Sequence, residues 1–392
     1  MNKKFLDLGL QPLANEYPTY YSKKQIKYRL KIYFNTKTKL VSISKRIPSK
    51  KMFTNKYPYR SSMSQTMKNS FKELSNEIKK RFKPKLMLEI GSNDGALISN
   101  FNTKQALGVE PCSNLAKITK KKGYITYDNY WDLNLAKKIK KDFKNVDLIY
   151  SANTLTHIND LNNVFRSIDN LLSKNGILII EDPSLLECIK KNSYDQFYNE
   201  HIYLFSKLSL KNIINKFDLE IFDIKNIKTH GGSLRYYIKR KGNKKFRISK
   251  NLIIQENKEK KYGLAKFSTY LKFNENVVKS KTKLLDLLNK IKKKNKKIIG
   301  YGATAKATTV LNFCNIDHKI INYFTDITPD KINRYMPGKK IKIYKYNKNI
   351  LKKVDFVFLG AWNFKDEIRK KEKDFIKRGG KFITHIPLPN II

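Results

Sequence analysis

Apolar residues recur at three- and four-residue intervals over residues 71–82, a spacing that predicts an amphipathic helix, and Pro84 stops it. The run Leu86-Met87-Leu88-Glu89-Ile90 that follows is short, almost wholly apolar and ends in a glycine turn, as a buried strand does. Strand-like runs then come at residues 106–110, 123–127, 146–151 and 176–181, with helical stretches between them. Such alternation predicts a parallel sheet covered by helices. Two further runs, residues 219–227 and 233–238, flank the turn-forming Thr229-His230-Gly231-Gly232 and predict a closing hairpin. Upstream, residues 1–75 mix short apolar runs with Pro12, Pro18, Pro48 and Pro58 and read as a small irregular or β-rich cap. Downstream, residues 251–296 are lysine-rich and helical, and a second alternating series opens at residues 297–300 and continues through 320–324, 354–359 and 381–386.

The expected organisation is therefore an α/β protein: a cap (1–75), a Rossmann-like domain (76–245), a helical linker (246–296) and a second, C-terminal Rossmann-like α/β domain (297–392). A chain of 392 residues suits two or three domains, and 40% hydrophobic with 12% aromatic residues argues against disorder. No window reaches the ~18 uninterrupted apolar residues of a membrane span, and Met1-Asn2-Lys3-Lys4-Phe5-Leu6-Asp7 lacks the apolar core of a secretory signal. A soluble, cytoplasmic protein is expected, with no membrane partner. Cys112, Cys188 and Cys314 are widely separated and fit neither a disulfide framework nor a zinc cluster.

The net charge of +49 raises the question of a polyanion partner. Lysine greatly outnumbers arginine and the excess runs through every segment, which fits a compositional bias with solvated faces better than a base-reading patch. No specific nucleic-acid partner is expected.

The chemistry concentrates at strand ends. Glu89-Ile90-Gly91-Ser92-Asn93-Asp94-Gly95 puts small residues where the chain must turn sharply into a helix, so backbone can approach a ligand; the spacing is G-x-x-x-G, unlike the dinucleotide G-x-G-x-x-G. Glu110, at the end of the next strand, stands where a carboxylate accepts both hydroxyls of a ribose. Asp128 and Asn129 follow the third strand and border the expected adenine, and the strand from Asp147 delivers Asn153 to the same crevice. With residues 171–180 as the helix-turn-strand that follows, this ordered set predicts a Rossmann-like methyltransferase domain that binds S-adenosylmethionine through Glu89, Gly91, Asn93, Asp94, Gly95, Glu110, Asn129 and Asn153.

Five segments narrow this: residues 6–15, the Glu89–Gly95 turn, Tyr198-Asn199-Glu200-His201, Thr229 to Arg235 and Tyr301-Gly302-Ala303-Thr304-Ala305-Lys306. Together with Pro337-Gly338 and Trp362-Asn363 they resemble, in the same order, the S-adenosylmethionine-dependent sugar C-methyltransferases. The resemblance implies methyl transfer to a ring carbon, usually carbon 3, of a 4-keto-deoxysugar linked to a nucleoside diphosphate. It further implies His201 as the base, Tyr198 as its hydrogen-bonding or enolate-stabilising partner and Glu200 as the residue orienting the pair. A histidine titrating near neutrality suits proton removal beside a ketone. By the same resemblance Tyr57 and Tyr59, in a proline-stiffened segment reaching Ser62, close over the substrate. His230, Gly231, Gly232 and Ser233 offer backbone and a hydroxyl near the acceptor; a plain hairpin turn explains them equally well. The turn from Tyr301 to Lys306 follows a strand and opens a helix, so its N–H groups and Lys306 could cradle the pyrophosphate or simply pack; Trp362 and Asn363 complete the expected substrate site.

Two departures qualify the resemblance. The family's Tyr-His-Glu-His is here Tyr198-Asn199-Glu200-His201, and the family's zinc-binding cysteine pairs are absent: the second pair aligns with Asn35 and Thr38, and the first would precede Met1. No zinc is expected. The rival enzyme reading is an NAD(P)-dependent sugar-nucleotide oxidoreductase using the Gly300 turn, and the rival of another class is a non-catalytic polyanion-binding protein; cofactor and nucleic-acid binding measurements separate the three.

Overall fold

The computed structural model describes residues 1–44 and 47–392. In chain order, β1 (Asn2–Gln11), β2 (Tyr28–Asn35) and β3 (Val41–Ile43) form the cap. A second group follows: β4 (Met87–Ile90), β5 (Ala106–Val109), β6 (Ile125–Tyr127), β7 (Val146–Ala152) and β8 (Leu172–Pro183). The two-residue β9 (Tyr203–Leu204) leaves that group to pair with β3, and β10 (Leu219–Ile227) with β11 (Ser233–Arg240) makes the hairpin. The last group comprises β12 (Ile298–Tyr301), β13 (Tyr323–Asp326), β14 (Lys342–Lys345), β15 (Phe356–Leu359), β16 (Lys381–Thr384) and β17 (Asn390–Ile391).

The central sheet runs β10-β11-β8-β7-β4-β5-β6, with β6, β5, β4, β7 and β8 parallel and the hairpin antiparallel at one edge. The order reverses between β4 and β7, and the carboxyl ends of those strands open the crevice where such sheets bind ligands. β4 is buried on both faces, as a central parallel strand must be. The C-terminal sheet, β14-β13-β12-β15-β16-β17, has its own reversal between β12 and β15. The α/β reading, with a cap and a second α/β unit, is observed.

Two elements differ from the sequence expectation. The helix expected over residues 71–82 spans Gln65–Arg81, because the Ser64 side chain caps it by accepting from the Met67 N–H, and Met67 extends its buried face. It therefore crosses the boundary expected at residue 75. The segment expected as a linker forms two helices, Lys250–Tyr262 and Phe267–Lys293. The second buries Tyr270, Phe273, Val277, Leu284 and Leu288 in the main core and packs on β1, so it is structural body and not a tether. No helix among the described residues is long and apolar enough to cross a membrane.

Candidate active site

A cavity of about 730 Å³ opens between the carboxyl ends of the central strands, the cap segment around Tyr57 and the first turn of the C-terminal unit. That size lies within the roughly 300–1,000 Å³ usual for ligand sites.

On the central-sheet side, β4 ends in Gly91 (φ +76°), where a Cβ would lie 2.1 Å from Thr154 Oγ1, so only glycine fits. The turn is pinned to β5 by the Gly91 and Ser92 N–H groups, both donating to the Val109 carbonyl. Glu110 is 5% exposed and faces the cavity; its carboxylate accepts from the Asn93 N–H (2.9 Å) and the Cys112 N–H (2.9 Å). Burial raises its pKa, against the lowering effect of those two donors. Glu89 is buried with Oε2 lacking a partner, and burial pushes its carboxyl well up, with Glu110 and Asp94 adding in the same direction. Asn153 (φ +50°) also lines the cavity with Oδ1 unpartnered. Orphaned acceptors beside a glycine turn and an inward carboxylate fit a ligand rich in donors and positive charge, as the ribose, ammonium and sulfonium of S-adenosylmethionine are.

Other expected cofactor residues act through the turn. Asp94 accepts from the Ser62 N–H and hydroxyl, and Gly95 (φ +82°) packs on Thr119, so neither lines the cavity. Asn93 does line it, accepting from the Ser61 N–H and donating to the Tyr59 carbonyl. Asn129 is solvent-exposed and outside the cavity, and Asp128 pairs with Lys120 at 3.1 Å on the surface. The chain turns there so that the next residues, Tyr130, Trp131 and Asp132, face inward instead.

At the reacting end, Tyr198 Oη lies 2.5 Å from His201 Nε2, and His201 Nδ1 lies 2.7 Å from the Gln196 carbonyl. A carbonyl only accepts, so Nδ1 carries the proton and Nε2 of the neutral ring is the basic nitrogen. His201 is 5% exposed, and burial holds its pKa well below the ordinary value, helped by the nearby His157 and by the charge of Lys306. Both Tyr198 and His201 line the cavity. Glu200 does not: it accepts from Asn15 Nδ2 (2.8 Å) and Tyr57 Oη (2.8 Å), and burial raises its pKa to about 7. Its expected role of orienting Tyr198 and His201 is thus replaced by another, because the turn at Asn199 directs it toward the cap, where it anchors Tyr57.

Of the expected substrate residues, Tyr57, Tyr59, His230, Tyr301, Lys306 and Asn363 line the cavity. Four are structural. Gly231 has the Trp362 ring where a Cβ would be, Gly232 abuts Glu187, Ser233 bonds back to the Thr229 carbonyl, and Trp362 Nε1 donates to the buried Asp195 at 2.6 Å. These hold the hairpin turn against the C-terminal unit. Tyr301 donates to Glu372 at 2.9 Å.

His157 was missed by the sequence reading, which stopped at Asn153. It follows in a short 3₁₀ turn, stacks between Phe53 and His201 (ring centroids 5.5 and 5.0 Å), and keeps Nε2 unpartnered at the cavity. Gln196 was missed as well: its carbonyl accepts from His201 Nδ1–H and its Nε2 donates to the His230 carbonyl at 2.6 Å, so it brackets two cavity histidines. Among the described residues no group of three His, Cys, Asp or Glu side chains could hold a metal ion.

This fold, with an inward carboxylate after the second strand and a Tyr198–His201 pair lining the same cavity, is that of an S-adenosylmethionine-dependent methyltransferase. Residues 59–224 match the model of the methyltransferase domain, and residues 228–387 match that of the C-methyltransferase C-terminal domain. The C-methyltransferase NovU of Streptomyces niveus is 29% identical over 310 residues, 78% of this chain and 73% of its own. Solved structures are similar over the central part: an S-adenosylmethionine-dependent methyltransferase from Clostridium acetobutylicum (13% identical, TM-score 0.34, 46% of this chain and 93% of that one) and a possible histamine N-methyltransferase from Thermotoga maritima (17%, 0.33, 43% and 88%). The two domain matches together span most of the chain and mark it as an S-adenosylmethionine-dependent C-methyltransferase.

Proposed function

We propose that this enzyme methylates a ring carbon beside the ketone of a nucleoside-diphosphate-linked 4-keto-deoxysugar, with His201 as the base. The observation that carries the reading is the fixed tautomer of His201, whose basic Nε2 shares one cavity with Glu110 and the orphaned Asn153. Bound S-adenosylmethionine would supply an electrophilic methyl group on its sulfonium. Glu110 takes the ribose hydroxyls, and the turn beginning at Gly91 with Glu89 and Asn153 takes the cofactor's donors.

A ketone acidifies its neighbouring C–H, and His201 removes that proton at Nε2 while the Gln196 carbonyl accepts from Nδ1–H and steadies the imidazolium. Tyr198, hydrogen-bonded to Nε2 in the absence of substrate, swings its donor to a substrate oxygen when the proton is taken. The cap segment through Tyr57 and Tyr59 excludes water, and the C-terminal α/β unit, entered at Tyr301, holds the nucleotide end. Cytoplasmic chemistry suits the three buried free cysteines.

Incubation with S-adenosylmethionine and a panel of 4-keto-sugar nucleotides should yield a product heavier by one methyl group; no product across the panel would refute the acceptor class. His201→Asn should lower turnover about 10²–10⁴-fold with cofactor and substrate affinities little changed. Exchange of the acidic C–H in deuterated water, without methyl donor, isolates proton removal. Exchange at the wild-type rate in that variant would transfer the role of base to Tyr198.

A further inference from the structure

The resemblance and the helix position suggest Lys306 as a pyrophosphate ligand, yet its surroundings belong to the reacting end. Lys306 sits in the first turn of the helix Ala305–Phe313, which Thr304 caps by accepting from the Ala307 N–H. That helix packs on the 3₁₀ turn Tyr194–Gln196, immediately before Tyr198 and His201, and Thr309 of the helix donates to the Phe197 carbonyl. Lys306 is 8% exposed, lines the cavity, and among the described residues makes no ion pair or hydrogen bond. The other cations of the lining are committed or outward: Arg60 pairs with Asp330 at 3.1 Å, Lys331 donates to the Ala303 carbonyl at 2.8 Å, and Lys50 and Lys371 are exposed.

We infer that Lys306 is the residue that meets the substrate's ketone oxygen and carries the negative charge developing there when His201 takes the neighbouring proton. This rests on the sugar-ketone reading above. The Lys306 side chain is nearly buried and makes no ion pair, with its ammonium open to the cavity, and the arrangement makes sense when a partner anion develops there during the reaction. Its charge acts on His201 and His230, with which it lines one cavity. Burial lowers its pKa, against Asp195, so it is also a readier proton donor than a surface lysine. His230 stands in the same cavity with Nε2 unpartnered, in a left-handed turn with a backbone φ of +53°.

The electrons balance as follows. The C–H bond breaks, its proton goes to His201 Nε2, its electron pair becomes the carbon–carbon double bond, and the carbonyl π pair moves to oxygen against the Lys306 ammonium. The carbonyl then re-forms as the carbon bonds to the methyl group, whose bond to sulfur breaks with its pair left on sulfur. His201 returns its proton to water.

Lys306→Met should slow both turnover and solvent-deuterium exchange at the acidic carbon by about 10²–10³-fold, the usual loss of an oxyanion donor, with substrate Kd changed less than about threefold. Lys306→Arg, which keeps the charge, should stay at least about tenfold above Lys306→Met; cofactor affinity reports that both are folded. Wild-type exchange in Lys306→Met, equal loss in both variants, or weakened substrate binding with unchanged kcat would overturn the assignment, the last pointing to the pyrophosphate. Wild-type enzyme that exchanges no C–H of any 4-keto-sugar nucleotide would instead overturn the reading on which it rests.

Discussion

Glu110 does two jobs with one carboxylate: it faces the cavity and it holds the glycine turn through the Asn93 N–H. Glu110→Ala should weaken S-adenosylmethionine about ten- to a hundredfold, the equivalent of the ~1.5–3 kcal/mol that charge-assisted hydrogen bonds contribute. Glu110→Gln, which keeps an acceptor for Asn93, should lose less; calorimetric titration of both variants checks this, and an unchanged Kd in folded Glu110→Ala would remove the residue from the site. His157 supports a pH experiment. Burial lowers its pKa from 6.5 to about 3, so the unfolded chain binds the extra proton between those values and the folded one does not. Its contribution to stability is complete above pH 6.5 and is lost progressively as pH falls toward 3, whereas Glu200, raised to about 7, contributes in the opposite sense, losing its share as pH rises from 4.5 through 7. The difference between variants isolates one group: His157→Phe, which retains the stack on Phe53, should lose less of its urea midpoint than wild type between pH 7.5 and 5. An equal loss would mean that His157 is not buried neutral. These positions were unevenly legible in the sequence. That Glu110 and His201 would line one cavity was readable because a strand end and a short motif mark them, but the turn of Glu200 toward Tyr57 and the place of His157 were not, since a turn's direction depends on what packs against it.

Elements tell the same story at a larger scale. Strands β4, β5, β7 and β12 were readable because each is a short apolar run closed by a turn, while β14 and β17 were not, because β14 has a single buried residue and β17 none. The segment from Tyr57 to Ser62 was readable from its residues as a proline-stiffened loop, and only by resemblance as one that closes over the substrate. In the fold it bridges Asn93 and Asp94 on one side to Asp330 on the other, contacts made between residues far apart in sequence. The β2–β3 turn is the clearest case of one device standing for another. Where the resembling family has a second cysteine pair, Asn35 Oδ1 accepts from the Lys37 and Thr38 N–H groups at 3.0 and 2.8 Å, and Asn35 Nδ2 donates to Asn2. An Asx turn satisfies the backbone there without thiolates. Asn35→Ala should therefore destabilise the protein by about 1 kcal/mol, a typical net hydrogen-bond contribution, while a chelator leaves the wild-type Tm unchanged. Elemental analysis showing one zinc per chain, or a chelator-sensitive Tm, would count against this account of the turn.

At the scale of the whole molecule, the cap, the central sheet and the C-terminal unit share a core. One continuous apolar cluster takes Phe5, Ile32 and Phe34 from the cap, Leu88, Ile149 and Leu178 from the central sheet, and Val310, Met336 and Ile343 from the C-terminal unit. Polar ties run through the stretch after β1: Asn199 donates to the Pro12 carbonyl, Thr308 to that of Ala14, and Tyr17 Oη to that of Ala303 at 2.7 Å. On the other side, buried Asp195 accepts from Trp362 Nε1 and meets His385 Nε2 at 3.0 Å. Separating the units would expose this apolar surface and strand these buried donors and acceptors together, so partial unfolding should be scarcely populated. The two tryptophans make the claim measurable, since Trp131 belongs to the central unit and Trp362 to the C-terminal one. In Trp131→Phe the remaining tryptophan fluorescence reports Trp362, in the C-terminal unit where it meets Gly231 and Asp195, while far-UV circular dichroism reports all helices and sheets. The two signals should melt with coincident midpoints and one calorimetric transition. Midpoints more than about 5 °C apart, beyond what a ~1 kcal/mol perturbation would shift in a chain of this length, would show that the C-terminal unit unfolds on its own and that the shared core does not couple the two ends of the site.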